Sequence, residues 1–190
     1  MPSAFNAHNT NPLSQHPQAW ERAGNIKLLV LDVDGVLTNG QVWIGADGKE
    51  SLKAFDIQDG LGIKLLEQSG IPTVIITGRN SKMVLARCEE LGIQHVHMGV
   101  ENKAIALAEV LKTLKLTSSD CAVMGDDWPD LAMMKNAGLK IAPAQAHEAV
   151  KEFAHFVTTK AGGNSAVREV CDLILKAQNL YGPLLDKARN

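Results

Sequence analysis

The sequence predicts an α/β fold of the doubly wound kind, a parallel sheet with helices on both faces, and two observations carry that prediction. Short runs that are apolar on both faces recur along the chain, as strands buried in a parallel sheet do, and segments with apolar residues at helical spacing separate them. Strand and helix in alternation close into such a sheet through right-handed crossovers, with any ligand site at the carboxyl ends of the strands. The first run is Leu28-Leu29-Val30-Leu31. A helical pattern from Gly60 to Gln68 leads to the second, Thr73-Val74-Ile75-Ile76. Next come a helix from Ser81 to Leu91, with Val84, Leu85, Cys88 and Leu91 on one face, and a strand within Ile93 to Met98. The helix from Asn102 to Leu114 repeats that spacing with Ala104, Leu107, Leu111 and Leu114, and precedes Cys121-Ala122-Val123-Met124. A helix from Asp127 to Ala137, a strand from Leu139 to Ala142, a helix from Ala146 to Phe153, the strand Phe156-Val157 and a last helix from Ser165 to Gln178 complete the alternation. Gly70, Gly92 and Gly138 stand where helices must stop, a position that favours a left-handed residue.

One segment breaks the pattern. Gln41 to Ile44, the turn Gly45-Ala46-Asp47-Gly48 and a run from Glu50 to Phe55 predict a protruding β-hairpin over residues 41–55. It follows the most polar loop of the chain and carries Trp43 and Phe55 in a sequence only 4% aromatic, so it is expected to touch something beyond itself. Residues 1–24 mix Asn, Gln, His, Ser and Pro without periodicity and are expected to form a mobile arm, or a short amphipathic lead-in around Trp20, with no part in the fold. A length of 190 residues fits one domain, placed at 25–178, with 179–190 as a C-terminal tail.

Composition excludes several classes of function. Nineteen Lys and Arg against 21 Asp and Glu give a formal charge of −2, with no basic excess for nucleic acid or an anionic membrane, so any phosphate is bound locally. No apolar run approaches the roughly 20 residues of a membrane span, and the polar start lacks the apolar core of a signal peptide. A cytoplasmic chain is expected. Cys88, Cys121 and Cys171 have neither an even count nor a metal-binding spacing and read as buried, reduced thiols.

Four polar turns follow the apolar strands. The first is Asp32-Val33-Asp34-Gly35, which taken alone is an ordinary turn, since Asp and Gly favour turns for local reasons. The second, Thr77-Gly78-Arg79, offers a hydroxyl and a backbone N–H at the same sheet edge. Lys103 opens the helix from Asn102, where the helix dipole disfavours a cation and favours an anion; alone it reads as a solvated lysine. The fourth turn, Gly125-Asp126-Asp127-Trp128-Pro129-Asp130, puts three carboxylates within five residues, of which Asp127 or Asp130 can also serve as a helix cap. Together these turns hold the inventory for moving a phosphoryl group with Mg²⁺: carboxylates for the hard cation, a hydroxyl and an ammonium for phosphate oxygens. His95 and His97 alternate along a strand with no carboxylate beside them and read as core or edge residues, and His147 and His155 as bystanders.

Over about residues 27 to 160 these turns resemble the four motifs of the haloacid dehalogenase superfamily of phosphatases: an Asp-x-Asp loop, a Ser or Thr, a Lys and an acidic cluster. The resemblance implies a Rossmann-like sheet, Asp32 as a nucleophile forming an aspartyl-phosphate, and Asp34 as the acid that protonates the leaving alkoxide and then activates water. It also implies Mg²⁺ held by Asp32, the backbone carbonyl of Asp34 and Asp126, with Asp127 or Asp130 acting through water, while Lys103 and Thr77 neutralise the transferring oxygens. The hairpin, one helix and one strand fill the interval from Asp34 to Thr77, and one helix and one strand the interval to Lys103, which leaves no room for a large cap domain. A capless site stays wet unless another body covers it.

Within the superfamily the chain resembles the capless sugar-acid phosphatases through Leu31 to Leu37, Lys53-Ala54-Phe55 with Asp59-Gly60, and Ala161-Gly162-Gly163 leading to Ala166 through Asp172. That resemblance implies as substrate 3-deoxy-D-manno-octulosonate 8-phosphate, on the path to the lipopolysaccharide inner-core sugar, with a nonulosonate 9-phosphate as the alternative. It implies a homotetramer in which a neighbour's hairpin, or the segment from Lys160 to Asn164, closes the mouth; Asn164-Ser165 departs there from the Arg-Gly of the resemblance. Arg79 and Arg87, eight apart, are the candidates for reading the sugar-acid carboxylate, with Gly78 beside them in the substrate site. A non-catalytic oligomerisation or binding module on the same fold is the remaining alternative, and intact Asp32, Asp34, Lys103 and Asp126 argue against it.

Overall fold

The computed structural model describes residues 17–190. In chain order, α1 (Pro17–Ala23) leads into β1 (Leu28–Leu31), the antiparallel pair β2 (Trp43–Ile44) and β3 (Glu50–Leu52), α2 (Ile57–Gln68), β4 (Thr73–Ile76), α3 (Lys82–Leu91) and β5 (His95–His97). Then come α4 (Lys103–Leu114), β6 (Cys121–Met124), α5 (Trp128–Met134), β7 (Leu139–Ala142), α6 (Glu148–Phe153), β8 (Phe156–Val157), α7 (Ala166–Ala177) and α8 (Tyr181–Arg189). Six strands form one sheet in the order β5-β4-β1-β6-β7-β8, every neighbouring pair parallel. The chain winds outward from β1 on one side, then returns to β6 and winds outward on the other. The winding reverses between β1 and β6, and at that junction a doubly wound sheet opens a crevice beyond its strand ends.

Alternate residues of the strands feed two apolar layers. Leu29 and Leu31 of β1, Ile75 of β4 and Met124 of β6 pack with Ile63 and Leu66 of α2, Val84 and Cys88 of α3, and Val170 and Ile174 of α7. Leu28 and Val30, Val74 and Ile76, and Val123 face Leu107 and Leu111 of α4, Met133 and Met134 of α5, and Val150 of α6. All three cysteines are buried and free. Among the described residues no helix is long and apolar enough to cross a membrane.

Several expectations need correction. Residues 17–23 are part of the fold: α1 buries Ala19 and Ala23 in the first layer, a contribution that two alanines among polar residues do not advertise. The rest of the expected arm, residues 1–16, lies outside the described residues. The C-terminal segment is the helix α8, whose Tyr181 and Leu184 pack against the same layer. Helix α2 starts at Ile57 rather than Gly60, because Asp56 caps it by accepting from the N–H groups of Gln58 (2.6 Å) and Asp59 (3.1 Å). Helix α5 stops at Met134, short of Ala137, and α6 starts at Glu148 rather than Ala146. Leu85 is exposed while Val84, Cys88 and Leu91 are buried. Of the two hairpin aromatics, Phe55 packs on its own core with the Arg87 guanidinium 5.9 Å above its ring; Trp43 alone faces outward.

Candidate active site

Strands β1 and β6 are register partners at Leu31 and Met124, so the turns that follow them emerge side by side. The Asp32 N–H extends the ladder by donating to the Met124 carbonyl (3.1 Å). Gly35 has φ +87°, and a Cβ there would stand 2.0 Å from a carboxylate oxygen of Asp126, so this glycine is required twice over. The result is a floor of three carboxylates, Asp32, Asp126 and Asp130, with one oxygen of each within 4.8 Å of the others.

One ammonium enters that floor. Asn102 caps α4 by accepting from the N–H groups of Ala104 (3.1 Å) and Ile105 (3.2 Å), and so fixes where its first residue, Lys103, projects. Lys103 Nζ lies 2.8 Å from Asp32 Oδ1 and 2.6 Å from Asp130 Oδ1, and the residue is buried; the solvated lysine read from its position alone is not what the fold makes of it. Burial works against its charge, but the two carboxylates outweigh that cost and hold its pKa above the usual lysine value. Asp130 also accepts from the N–H groups of Asp126 (3.0 Å) and Asp127 (3.3 Å) at the start of α5. Asp127, in contrast, is exposed and caps α5 through the Trp128 N–H (2.8 Å).

A second ionic cluster forms the rim. Asp34 Oδ1 is paired with Lys53 Nζ, which also lies 2.8 Å from Glu50 Oε1. Arg79 Nε is 3.7 Å from Asp34 Oδ2 and its Nη2 is 3.7 Å from Glu50 Oε1. The Lys53 side chain is almost wholly buried, 1% exposed, whereas the Arg79 side chain is 47% exposed at the mouth. Buried Thr77 follows β4, its N–H donating to the His97 carbonyl (2.9 Å) and its carbonyl accepting from the Val100 N–H (3.1 Å). A cleft of about 310 Å³ collects Asp32, Asp34, Thr77, Gly78, Arg79, Lys103, Asp126, Asp127 and Asp130, all from the turns singled out in the sequence.

The floor is short of positive charge. Burial, reinforced by Asp130, pushes the Asp32 carboxyl up to about 6, and burial with the neighbouring Asp32 and Asp130 carboxylates pushes Asp126 up to about 7. Three hard oxygen donors against one ammonium fit Mg²⁺, which binds through carboxylate oxygens.

Residues 96–170 match the haloacid dehalogenase-like hydrolase family. The 3-deoxy-D-manno-octulosonate 8-phosphate phosphatase KdsC of Salmonella typhimurium is 47% identical over 162 residues, 85% of this chain and 86% of that protein. The chain belongs to the KdsC family of haloacid dehalogenase-like hydrolases. Two solved structures carry the same fold. The Moraxella catarrhalis 3-deoxy-D-manno-octulosonate 8-phosphate phosphatase, in complex with a magnesium ion, a phosphate ion and a KDO molecule, is 46% identical with a TM-score of 0.86, covering 90% of this chain and 97% of that one. The Yersinia pestis phosphatase is 45% identical with a TM-score of 0.84, covering 86% and 88%.

In this member of the KdsC family two predicted site elements lie elsewhere. Arg87 does not line the cleft: it bonds Glu90 (2.8 Å) and the Asp56 carbonyl (3.0 Å) and stacks over Phe55. The segment from Lys160 to Asn164 is no free flap, since the Gly163 N–H donates to the Val36 carbonyl (3.0 Å) and the chain then enters α7. Lys53 and Glu50 have no role legible in the sequence alone, where the one signal is a lysine beside Ala54-Phe55 at the end of a hairpin strand. Among the histidines, His95 and His97 sit half-buried on the edge strand, apart from the one carboxylate floor found among the described residues. His147 is more than a bystander: its Nδ1 caps α6 through the Ala149 N–H (3.2 Å) and accepts from Trp128 Nε1 (3.1 Å).

Proposed function

We propose that this chain is a Mg²⁺-dependent phosphatase that hydrolyses 3-deoxy-D-manno-octulosonate 8-phosphate to the free sugar acid and phosphate, in the cytoplasm, toward the lipopolysaccharide inner-core sugar. The observation that carries the reading is the buried floor, where Lys103 holds one oxygen of Asp32 and of Asp130 beside Asp126 at the sheet's switch point. Asp32, Asp126 and the Asp34 backbone carbonyl would hold the metal, with Asp130 behind them; when bound it draws charge from the phosphoryl oxygens and lowers their repulsion of an incoming carboxylate.

Asp32 attacks phosphorus, forming the aspartyl-phosphate as the bond to the sugar oxygen breaks. Asp34 gives its proton to the departing alkoxide; in the second half it takes a proton from the water that releases phosphate. Lys103 and the Thr77 hydroxyl neutralise the transferring oxygens, and Lys103 arrives already fixed between two carboxylates, so little reorganisation is left for the reaction. Lys53 holds Asp34 Oδ1 and leaves its second oxygen toward the cleft and Arg79. Arg79, half-exposed at the mouth, binds the sugar-acid carboxylate, a task suited to its planar fork. The hairpin exposes Trp43, Ile44 and Leu52, and its association with neighbouring copies in a homotetramer closes the wet mouth.

The test is phosphate release from 3-deoxy-D-manno-octulosonate 8-phosphate beside a nonulosonate 9-phosphate and a simple sugar phosphate, each with Mg²⁺ and with EDTA. Metal-dependent turnover favouring the octulosonate is expected. Preference for the nonulosonate would keep the mechanism and move the substrate, and a folded protein inert toward all three would overturn the reading.

A further inference from the structure

Ala161-Gly162-Gly163 is held where it is by a side chain outside the reacting set. Gln145, in the turn between β7 and α6, uses both ends of its amide: Nε2 donates to the Gly35 carbonyl (2.6 Å), and Oε1 accepts from the Gly162 N–H (2.8 Å). Two backbone bonds flank this bridge, from the Ala144 N–H to the Lys160 carbonyl (3.1 Å) and from the Gly163 N–H to the Val36 carbonyl (3.0 Å). Three separate turns therefore meet at Gly35.

The contact on either side of Gly35 is as close as backbone permits. A Cβ on Gly162 would stand 1.9 Å from the Gly35 carbonyl oxygen, and a Cβ on Gly35 would stand 2.0 Å from an Asp126 carboxylate oxygen. Gly35 is thus wedged between the Gly162 backbone and a carboxylate of the floor, in a left-handed conformation (φ +87°). Whatever sets the Gly35 carbonyl sets both neighbours that matter, the Asp34 carbonyl just before it and the Asp126 carboxylate pressed against it.

We propose that Gln145 is a positioning residue for the divalent cation: by drawing the Gly35 carbonyl toward Gly162 it keeps Asp126 and the Asp34 carbonyl at their places around the metal. This rests on the metal-dependent reading above. Groups that orient metal ligands typically change affinity or activity 10- to 100-fold when removed.

The experiment measures Mg²⁺ binding calorimetrically on full-length wild type, Gln145→Ala and Gln145→Glu, with thermal melting as the fold control and steady-state kinetics alongside. Both variants are expected to bind Mg²⁺ roughly 10- to 100-fold more weakly. They should lose kcat at moderate Mg²⁺ and regain part of it at high Mg²⁺, with KM for the phosphate ester little changed at saturating metal. Gln145→Glu keeps the acceptor for Gly162 but faces the Gly35 carbonyl with an oxygen that cannot donate, and it decides the matter if truncation to Ala unfolds the chain. Wild-type Mg²⁺ affinity in a folded Gln145→Glu, with only the melting temperature lowered, would overturn the proposal and leave Gln145 a tie between loops. A wild type that binds Mg²⁺ but releases no phosphate from any ester would instead sink the functional reading, with the affinity comparison still standing.

Discussion

Two ionic clusters share one sheet edge, and they are built to opposite specifications. The floor, Asp32, Asp126, Asp130 and Lys103, stands on strand ends and helix starts and carries three acids to one base. The rim, Asp34, Glu50, Lys53 and Arg79, is balanced two against two, and half of it comes from the hairpin. An unbalanced buried cluster wants a further cation; a balanced one orients a carboxylate that must gain and lose a proton. Under the proposed mechanism the difference separates phosphate and metal handling, placed on strand ends and helix starts, from leaving-group handling, which the hairpin supports through Glu50 and Lys53.

The largest break in that division is expected at Asp32→Asn, which removes the proposed nucleophile while leaving the fold: turnover should fall below detection with melting unchanged, and near-wild-type activity would show that the floor is not where bonds change. Asp34→Asn should cost roughly 10²- to 10⁴-fold in kcat with phosphate and metal still bound, because only the rim is disabled. Loss of metal binding in that variant would mean that the clusters do not divide the work. Arg79→Ala should raise KM for sugar-acid phosphates several-fold more than for an ester lacking a carboxylate; equal effects would take Arg79 out of substrate reading.

A smaller effect lies outside both clusters and supplies the background for any pH study. Asp59 of α2 is buried against the start of α7, where its carboxylate accepts from the Arg168 N–H (2.7 Å), and burial pushes its pKa up to about 6. Its folded pKa lies above the ordinary 3.8, so the fold favours the protonated form. The stability it contributes is complete below about pH 3.8 and is lost as pH rises through 6, a change on the order of 3 kcal/mol. Asp59→Asn should flatten this part of the stability profile when urea unfolding is compared at pH 4.5 and 7.5. An unchanged slope would assign it to other groups.

The floor was legible in the sequence because everything that builds it is local to a strand end: an apolar run followed by an aspartate turn places carboxylates at the edge of a parallel sheet. The joining of Lys103 to Asp32 and Asp130 was legible as a set of residue types, though its burial was not. The hairpin half of the rim was illegible, since which side chain of β3 turns inward depends on how the hairpin returns across the sheet edge, and no periodicity over three residues records that. Arg87 fails for a related reason. Arg79 stands in the loop before α3, and the stretch of that helix from Lys82 to Arg87, a rise of roughly 7.5 Å, carries the second guanidinium to Glu90 and Phe55 instead of the cleft. The part helix α1 takes in the core is not legible, because alanine buries well but signals weakly.

The parallel pairing of β1 with β6 acts as a gauge. Hydrogen-bonded neighbours in a sheet run about 4.8 Å apart, a spacing on the scale at which several carboxylates could share one small hard cation. Aspartates carried just past the ends of two adjacent strands therefore start close together, and one oxygen each of Asp32, Asp126 and Asp130 lies within 4.8 Å of the others. The backbone's own repeat sets where the two turns begin, and what remains for side chains, and for the missing one at Gly35, is the final placement of the carboxylates.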